Sequence, residues 1–207
     1  MDDGTRWDER YRDAPDPVPR PPDGLTGLVH LLPEEGRALD VACGLGAVTL
    51  WAAGRGLAVD ALDVSAVAIR RLTARADALG LTGVHGRVAD LAAGLPEHLS
   101  GPYDLVVCQR FRDPALHRSL PGLLAPDGVL VLTVLSDVGA TAPSRFAAEA
   151  GELSRLARAS GCEVLRDVER HGEATVVLRR PGPRSGSACG AVREDGRDGR
   201  KPAREGP

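Results

Sequence analysis

The chain is 207 residues long, 43% hydrophobic and 27% charged, with a formal net charge of −3. That is ordinary globular composition, enough for one core and one domain. The near-neutral charge argues against the electrostatic footprint of a nucleic-acid binder, and no stretch approaches the length of a transmembrane helix.

The opening Met1-Asp2-Asp3-Gly4 is acidic and polar, without an apolar signal-peptide core. Residues 1–36 read as a lead-in. Trp7 and Tyr11 are spaced i, i+4, so a short helix puts both on one face. The proline-rich stretch Pro15 to Pro22 cannot continue that helix. Leu25 to Leu32 reads as helical again, with Leu25, Leu28, Val29 and Leu32 on one side.

From Arg37 strands and helices alternate. The apolar runs 38–42, 57–62, 104–108 and 129–135 are short and nearly unbroken, as strands of a parallel sheet buried on both faces are. Helices are expected over 65–79, with Ser65 as N-cap, Gly80 as stop and an Ala68, Leu72, Ala76, Leu79 stripe; over 113–124, started by Asp113-Pro114 and split at Pro121; and over 145–160, with Phe146, Leu153, Leu156 and Ala157 inward. The runs 163–169 and 173–180 lie too close together for a parallel crossover and must pair antiparallel. Residues 37–180 therefore form the domain, and 181–207, nearly free of apolar side chains, read as a disordered tail.

The chemistry gathers at strand ends. Asp40-Val41-Ala42-Cys43-Gly44-Leu45-Gly46 carries a strand into a glycine turn, and Asp63 ends the next strand 19 residues past Gly44. A turn that admits close backbone approach, followed by a carboxylate suited to a ribose diol, reads as a nucleotide-cofactor pocket. The third glycine of a pyrophosphate-binding fingerprint falls on Thr49, which argues against a dinucleotide.

With Val88-Ala89-Asp90-Leu91, Tyr103 to Cys108, and Leu124-Ala125-Pro126-Asp127-Gly128 in this order, residues 37–180 resemble the class I S-adenosylmethionine-dependent methyltransferases. Trp7-Asp8-Glu9-Arg10-Tyr11 is similar to the W-x-x-R-Y opening of their tellurite-resistance and thiopurine-type small-molecule members. The resemblance implies a Rossmann-like, seven-stranded, mostly parallel sheet with an antiparallel C-terminal hairpin and helices on both faces. It implies S-adenosylmethionine as cofactor, bound by Asp40, Ala42, Gly44, Gly46, Asp63, Val64, Ser65, Ala89, Asp90, Leu91, Cys108 and Gln109, with Trp7 and Tyr11 folded over it. Asp63 would take the ribose hydroxyls and Asp90 the adenine amine. Ala42 stands where the family has glycine, so no positive φ is expected there. Asp127 likewise replaces a family glycine.

Bland readings stand beside these. Gly44 and Gly46 also suit a plain strand–helix turn, Asp63 and Asp90 suit helix or turn caps, and Trp7 with Tyr11 suits the edge of a core. Cys43 and Cys108 read as small buried fillers. Gln109 and Arg110 follow the fourth strand and are the candidates for contact with reacting groups; Arg110 and Arg112 fit either an anionic acceptor or salt bridges. His30, His85, His98, His117 and His171 share no ligand-like spacing, Cys43, Cys108, Cys162 and Cys189 form no CxxC pair, and no metal is expected. That cysteine usage suits a reduced, cytoplasmic protein. The expected activity is methyl transfer to a small-molecule acceptor; nothing in the chain names that acceptor or the oligomeric state. The rivals are a module that binds S-adenosylmethionine without catalysis and an NAD(P)-dependent oxidoreductase. No N-P-P-Y-type motif follows the fourth strand, which lowers the case for a nucleobase amine.

Overall fold

The computed structural model describes residues 2–142 and 144–183, so residues 184–207 of the expected tail lie outside it. Helix α1 spans Asp3–Arg12. After two 3-10 turns come β1 (Gly36–Val41), α2 (Ala47–Gly54), β2 (Leu57–Asp63), α3 (Ala66–Ala78) and β3 (Val84–Val88). Then follow β4 (Tyr103–Gln109), α4 (Pro114–Ser119), β5 (Leu124–Leu135), α5 (Glu152–Ala159), β6 (Glu163–Arg170) and β7 (Glu173–Arg179).

The strands make one seven-stranded sheet in the order β3-β2-β1-β4-β5-β7-β6. Strands β1 to β5 pair in parallel, and β7 runs antiparallel between β5 and β6. His171 and Gly172 close that hairpin with φ of 53° and 80°, the left-handed pair of a type I′ turn. Strand order reverses between β1 and β4, so a crevice opens beyond their carboxyl ends.

Alternation along the central strands divides the core. Leu105, Val107, Val129, Val131 and Val177 face one side with Leu25 and Leu32 of the lead-in. Val106, Cys108, Leu130, Leu132, Val176 and Leu178 face the other, against Leu116, Leu120 and Leu153. Strands buried on both faces lose all polar alternation, which is why their sequences read as unbroken apolar runs. Ser65 caps α3, Asp113 caps α4 with Pro114 at its first position, and α4 gives way at Leu120–Leu123 to a 3-10 turn.

Three expectations need correction. Residues 25–32 form 3-10 turns, Asp23–Leu25 and Val29–Leu31, and no α-helix. Gly27 has φ +77°, which a right-handed helix cannot carry through. A Cβ on Gly24 would lie 2.8 Å from Val131 Cγ1, so this segment is pressed flat on the sheet. The helix expected over 145–160 is confined to α5. Ahead of it Ala148 bridges to Ser136, Gly151 turns with φ +71°, and Phe146 is 50% exposed instead of inward. Leu79 leaves the α3 stripe at 54% exposure, because it is already the C-cap.

At the amino ends of the strands the polar groups are closed upon each other. Tyr103, fully buried, donates its hydroxyl to Asp60 Oδ2 at 3.0 Å. The Arg37 guanidinium reaches the same oxygen at 3.2 Å and lies 4.5 Å over the Tyr103 ring, while the Arg37 N–H donates to Asp104. Among the described residues no helix is long and apolar enough to cross a membrane.

Candidate functional site

The carboxyl ends of β1, β2 and β4 and the segment after β3 surround a cavity of about 450 Å³, with α1 along its rim. Its floor is the turn after β1. Ala42, Gly44 and Gly46 take φ of 57°, 55° and 79°, so Ala42 does adopt the positive φ that its identity argued against. The turn bonds force this: Cys43 N–H donates to Leu62 O and Gly46 N–H to Cys43 O. Holding a non-glycine residue there costs about 1–2 kcal/mol. The two glycines serve different needs. A Cβ on Gly44 would stand 2.9 Å from the Tyr11 hydroxyl, and one on Gly46 would stand 2.2 Å from Leu72 Cδ1. Gly44 thus admits approach from the cavity side, whereas Gly46 admits α3.

Asp63 ends β2 and stitches it to the turn: its Oδ2 accepts the Gly44 N–H at 2.8 Å and its Oδ1 the Ser65 N–H at 2.9 Å. Burial raises its pKa against the pull of these bonds. Each oxygen keeps a second lone pair. Asp40 is buried beneath the turn and accepts the Thr49 hydroxyl at 2.6 Å. Burial pushes it up to about 7, opposed by that bond. Thr49, in the place of the third fingerprint glycine, is therefore the partner of a buried carboxylate. Asp90 caps a short turn by accepting the Ala92 N–H at 3.0 Å and also borders the cavity.

Helix α1 is fastened over this floor. Asp8 accepts the Ser65 hydroxyl and the Val67 N–H of α3. Arg71 donates to the Tyr11 carbonyl at 2.6 Å and the Ala14 carbonyl at 2.8 Å. Trp7 and Tyr11 stack with centroids 5.4 Å apart and 21° between planes. Burial, reinforced by the Asp63 charge, raises the Tyr11 phenol well above its ordinary pKa.

Of the residues expected at the site, Trp7, Tyr11, Asp40, Ala42, Gly44, Gly46, Asp63, Val64, Asp90, Leu91, Gln109 and Arg110 line the cavity. Ser65, Ala89 and Cys108 do not. Ser65 spends its hydroxyl on Asp8 and the Ala68 N–H, Ala89 packs against the core, and Cys108 is fully buried with its thiol pKa raised by burial. Arg110 donates Nε and a terminal nitrogen to Glu173, and Arg112 forks onto Glu152. Both are salt bridges. Asp3 also lines the cavity, as do Arg10 from the Trp7–Tyr11 segment and Phe111 from the segment after the fourth strand. For Asp3 and Arg10 a signal exists: with Trp7 they share one helical face at i, i+4 and i+7.

Residues 38–128 match a family model described as a methyltransferase domain. Over 113 residues, half of this chain, the sequence is 34% identical to the ribosomal RNA small subunit methyltransferase C of Alcanivorax borkumensis. TehB from Haemophilus influenzae superposes over 76% of this chain and 60% of its own, at 20% identity and a TM-score of 0.62. Magnesium protoporphyrin IX methyltransferase from Synechocystis PCC 6803, solved with S-adenosylmethionine bound, superposes over 75% and 74%, at 19% identity and a TM-score of 0.56. The chain spans 33% of the length of the curated relative that it matches.

Proposed function

We propose, from the premise that the chain belongs to the class I S-adenosylmethionine-dependent methyltransferases, that it transfers a methyl group to a small molecule by in-line displacement. The observation that carries this reading is the cavity at the strand ends, where Gly44, Asp63 and Asp90 meet under α1. When bound, S-adenosylmethionine supplies a methyl group already activated on a sulfonium. The site fits that cation: four carboxylates, Asp3, Asp40, Asp63 and Asp90, border it, and the buried two, Asp40 and Asp63, have pKa values raised by burial, so a positive ligand relieves them.

In this reading Asp63 holds the ribose hydroxyls on its remaining lone pairs, with its backbone bonds fixing the carboxylate beforehand. Asp90 accepts from the adenine amine. Gln109, Arg110 and Phe111 border the side where the acceptor enters. Trp7 and Tyr11 exclude water from above. Alignment in such a site contributes effective molarities of roughly 10⁵–10⁸ M, or about 7–11 kcal/mol, and a dedicated base is needed only when the nucleophile must lose a proton. A cavity of about 450 Å³ beneath a fastened helix suits a small acceptor.

A second reading follows the relative that by its name acts on ribosomal RNA. The net charge of −3 speaks against it. We place the enzyme in the cytoplasm, in keeping with the unpaired Cys43, Cys108 and Cys162. Residues 1–36 serve as lead-in and cover, 37–180 as the methyltransferase domain and 181–207 as a tail.

The test is methyl transfer from labelled S-adenosylmethionine to a panel of thiols, amines, chalcogen oxyanions and ribosomal RNA. The expected result is label on one small-molecule class. Label on RNA alone would favour the second reading, and saturable cofactor binding with no transfer to any arm would leave a binding module.

A further inference from the structure

Helices α4 and α5 cover the same face of the sheet through Leu116 and Leu153, and between them lies a groove of about 380 Å³. Pro114, His117, Arg118 and Pro121 line it from α4 and the 3-10 turn that follows, at i, i+3, i+4 and i+7. Glu152, Arg155, Leu156 and Ala159 line it from α5 with the same spacing. Each helix therefore turns one face to the groove, and most of the wall is apolar.

Its charges do not balance. Glu152 is spent, because Arg112 donates Nε and a terminal nitrogen to its two oxygens. Arg118 is exposed and makes no ion pair and no side-chain hydrogen bond among the described residues. Arg155 comes no nearer than 3.8 Å to Glu149, itself 84% exposed. His117 is fully buried. Its Nε2 lies 3.1 Å from the Phe111 carbonyl, which can only accept, while Nδ1 is buried without a partner. Such orphans are rare. Burial lowers the His117 pKa against the pull of that carbonyl and of the Asp113 and Glu152 charges, with Arg112 acting in the same direction as burial. Cys108 Sγ of β4 lies 4.0 Å from the ring. The imidazole is therefore neutral in neutral solution, with its proton on Nε2 and a bare lone pair on Nδ1.

We propose that this groove is a second ligand site, taking a small organic acid with an apolar body whose carboxylate is received by Arg118 and Arg155 beside His117. The two guanidiniums supply donors matched to a carboxylate, and the proline and leucine walls cover the body. An anion beside the ring favours its protonated form. The imidazolium donates at both nitrogens: Nε2 keeps the Phe111 carbonyl, and Nδ1 takes a proton from solvent and becomes a donor for the ligand. Phe111 also lines the larger cavity, so His117 stands between the groove and the candidate active site.

Titration calorimetry of the full chain with benzoate tests this, beside acetate, which lacks the apolar body, and benzyl alcohol, which lacks the charge. The expected result is one saturable benzoate site, with both controls at least about tenfold weaker. Arg118 is exposed, so Arg118→Gln should fold, and its unfolding midpoint checks that it has; it should bind benzoate about tenfold more weakly. Benzoate is an anion at both about pH 8 and about pH 6, yet it should bind about threefold more tightly at the lower pH, because proton uptake by His117 accompanies binding. Magnetic resonance of labelled histidine should show the His117 ring moving toward imidazolium as benzoate is added. Saturating S-adenosylhomocysteine should change benzoate affinity by less than about twofold. Absence of saturable binding, an Arg118→Gln variant equal to wild type, or displacement by S-adenosylhomocysteine overturns the site. So does an affinity that ignores pH, which removes His117 from it. A dimer in solution that Leu156→Glu dissociates, without benzoate binding, gives the groove to a second copy of the chain and also overturns the proposal.

Discussion

The two ends of the sheet carry the same kind of side chain in opposite states. At the amino end, Asp60 has a tyrosine hydroxyl and a guanidinium, and Asp104 a backbone N–H. Tyr103 there is pushed up to about 12 by burial and by the Asp60 beside it. At the carboxyl end, Asp40, Asp63 and Asp90 have only a threonine hydroxyl and backbone N–H groups. None has a cationic partner among the described residues. One end is an electrostatically finished piece of structure. The other is organised by hydrogen bonds yet left short of positive charge, which is the condition of a site awaiting a cation.

Four substitutions break or sharpen this contrast. Asp63→Ala has the largest expected effect: it removes the ribose acceptor and strands two buried N–H donors. Calorimetry should report S-adenosylhomocysteine binding at least about a hundredfold weaker, each lost bond to a charged group being worth about 1.5–3 kcal/mol. Unchanged affinity in a folded variant would sink the assignment.

Asp40→Asn tests the shortage of charge through pH. The folded pKa of Asp40, about 7, lies above its ordinary 3.8. The folded chain therefore holds this proton more tightly than the unfolded one. The contribution favours folding fully below the unfolded pKa and is lost as pH rises through about 7. Urea unfolding of the apo protein at several pH values should show wild type losing stability relative to Asp40→Asn between about pH 4 and about pH 7. A difference that does not change with pH contradicts the burial account.

Tyr103→Phe probes the finished end. It deprives Asp60 of a donor and should lower unfolding stability by about 1–2 kcal/mol, with S-adenosylhomocysteine affinity unaltered. A loss of affinity equal to that of Asp63→Ala would erase the distinction between the two ends. Ala42→Gly is the smallest effect. Relief of the positive φ should raise stability by about 0.5–1 kcal/mol, net of the extra freedom of glycine when unfolded; destabilisation would show that the turn tolerates Ala42 without strain.

Much of this architecture is legible in the chain because burial writes it plainly. Strands covered on both faces have no polar alternation, so β1, β2, β4 and β5 stand out. Asp63 is readable because it ends such a run. What is hidden depends on distant parts. The apolar spacing of Leu25, Leu28, Val29 and Leu32 suits a helix, but Gly24 must lie against Val131, and the sheet flattens the segment. Nothing local in 144–151 announces that Ala148 will bridge to Ser136. The positive φ of Ala42 is masked by its being alanine. Thr49 reads as a missing glycine until Asp40 is found beneath it. Ser65 and Cys108 sit at the right strand ends, yet a helix cap and the core claim their side chains.

A crystal structure with S-adenosylhomocysteine tests the central claim most directly. The account predicts the ligand across the carboxyl ends of β1, β2 and β4, with its ribose hydroxyls within hydrogen-bonding distance of the Asp63 carboxylate. A ligand bound elsewhere, or lying in the cavity with its ribose away from Asp63, would contradict it.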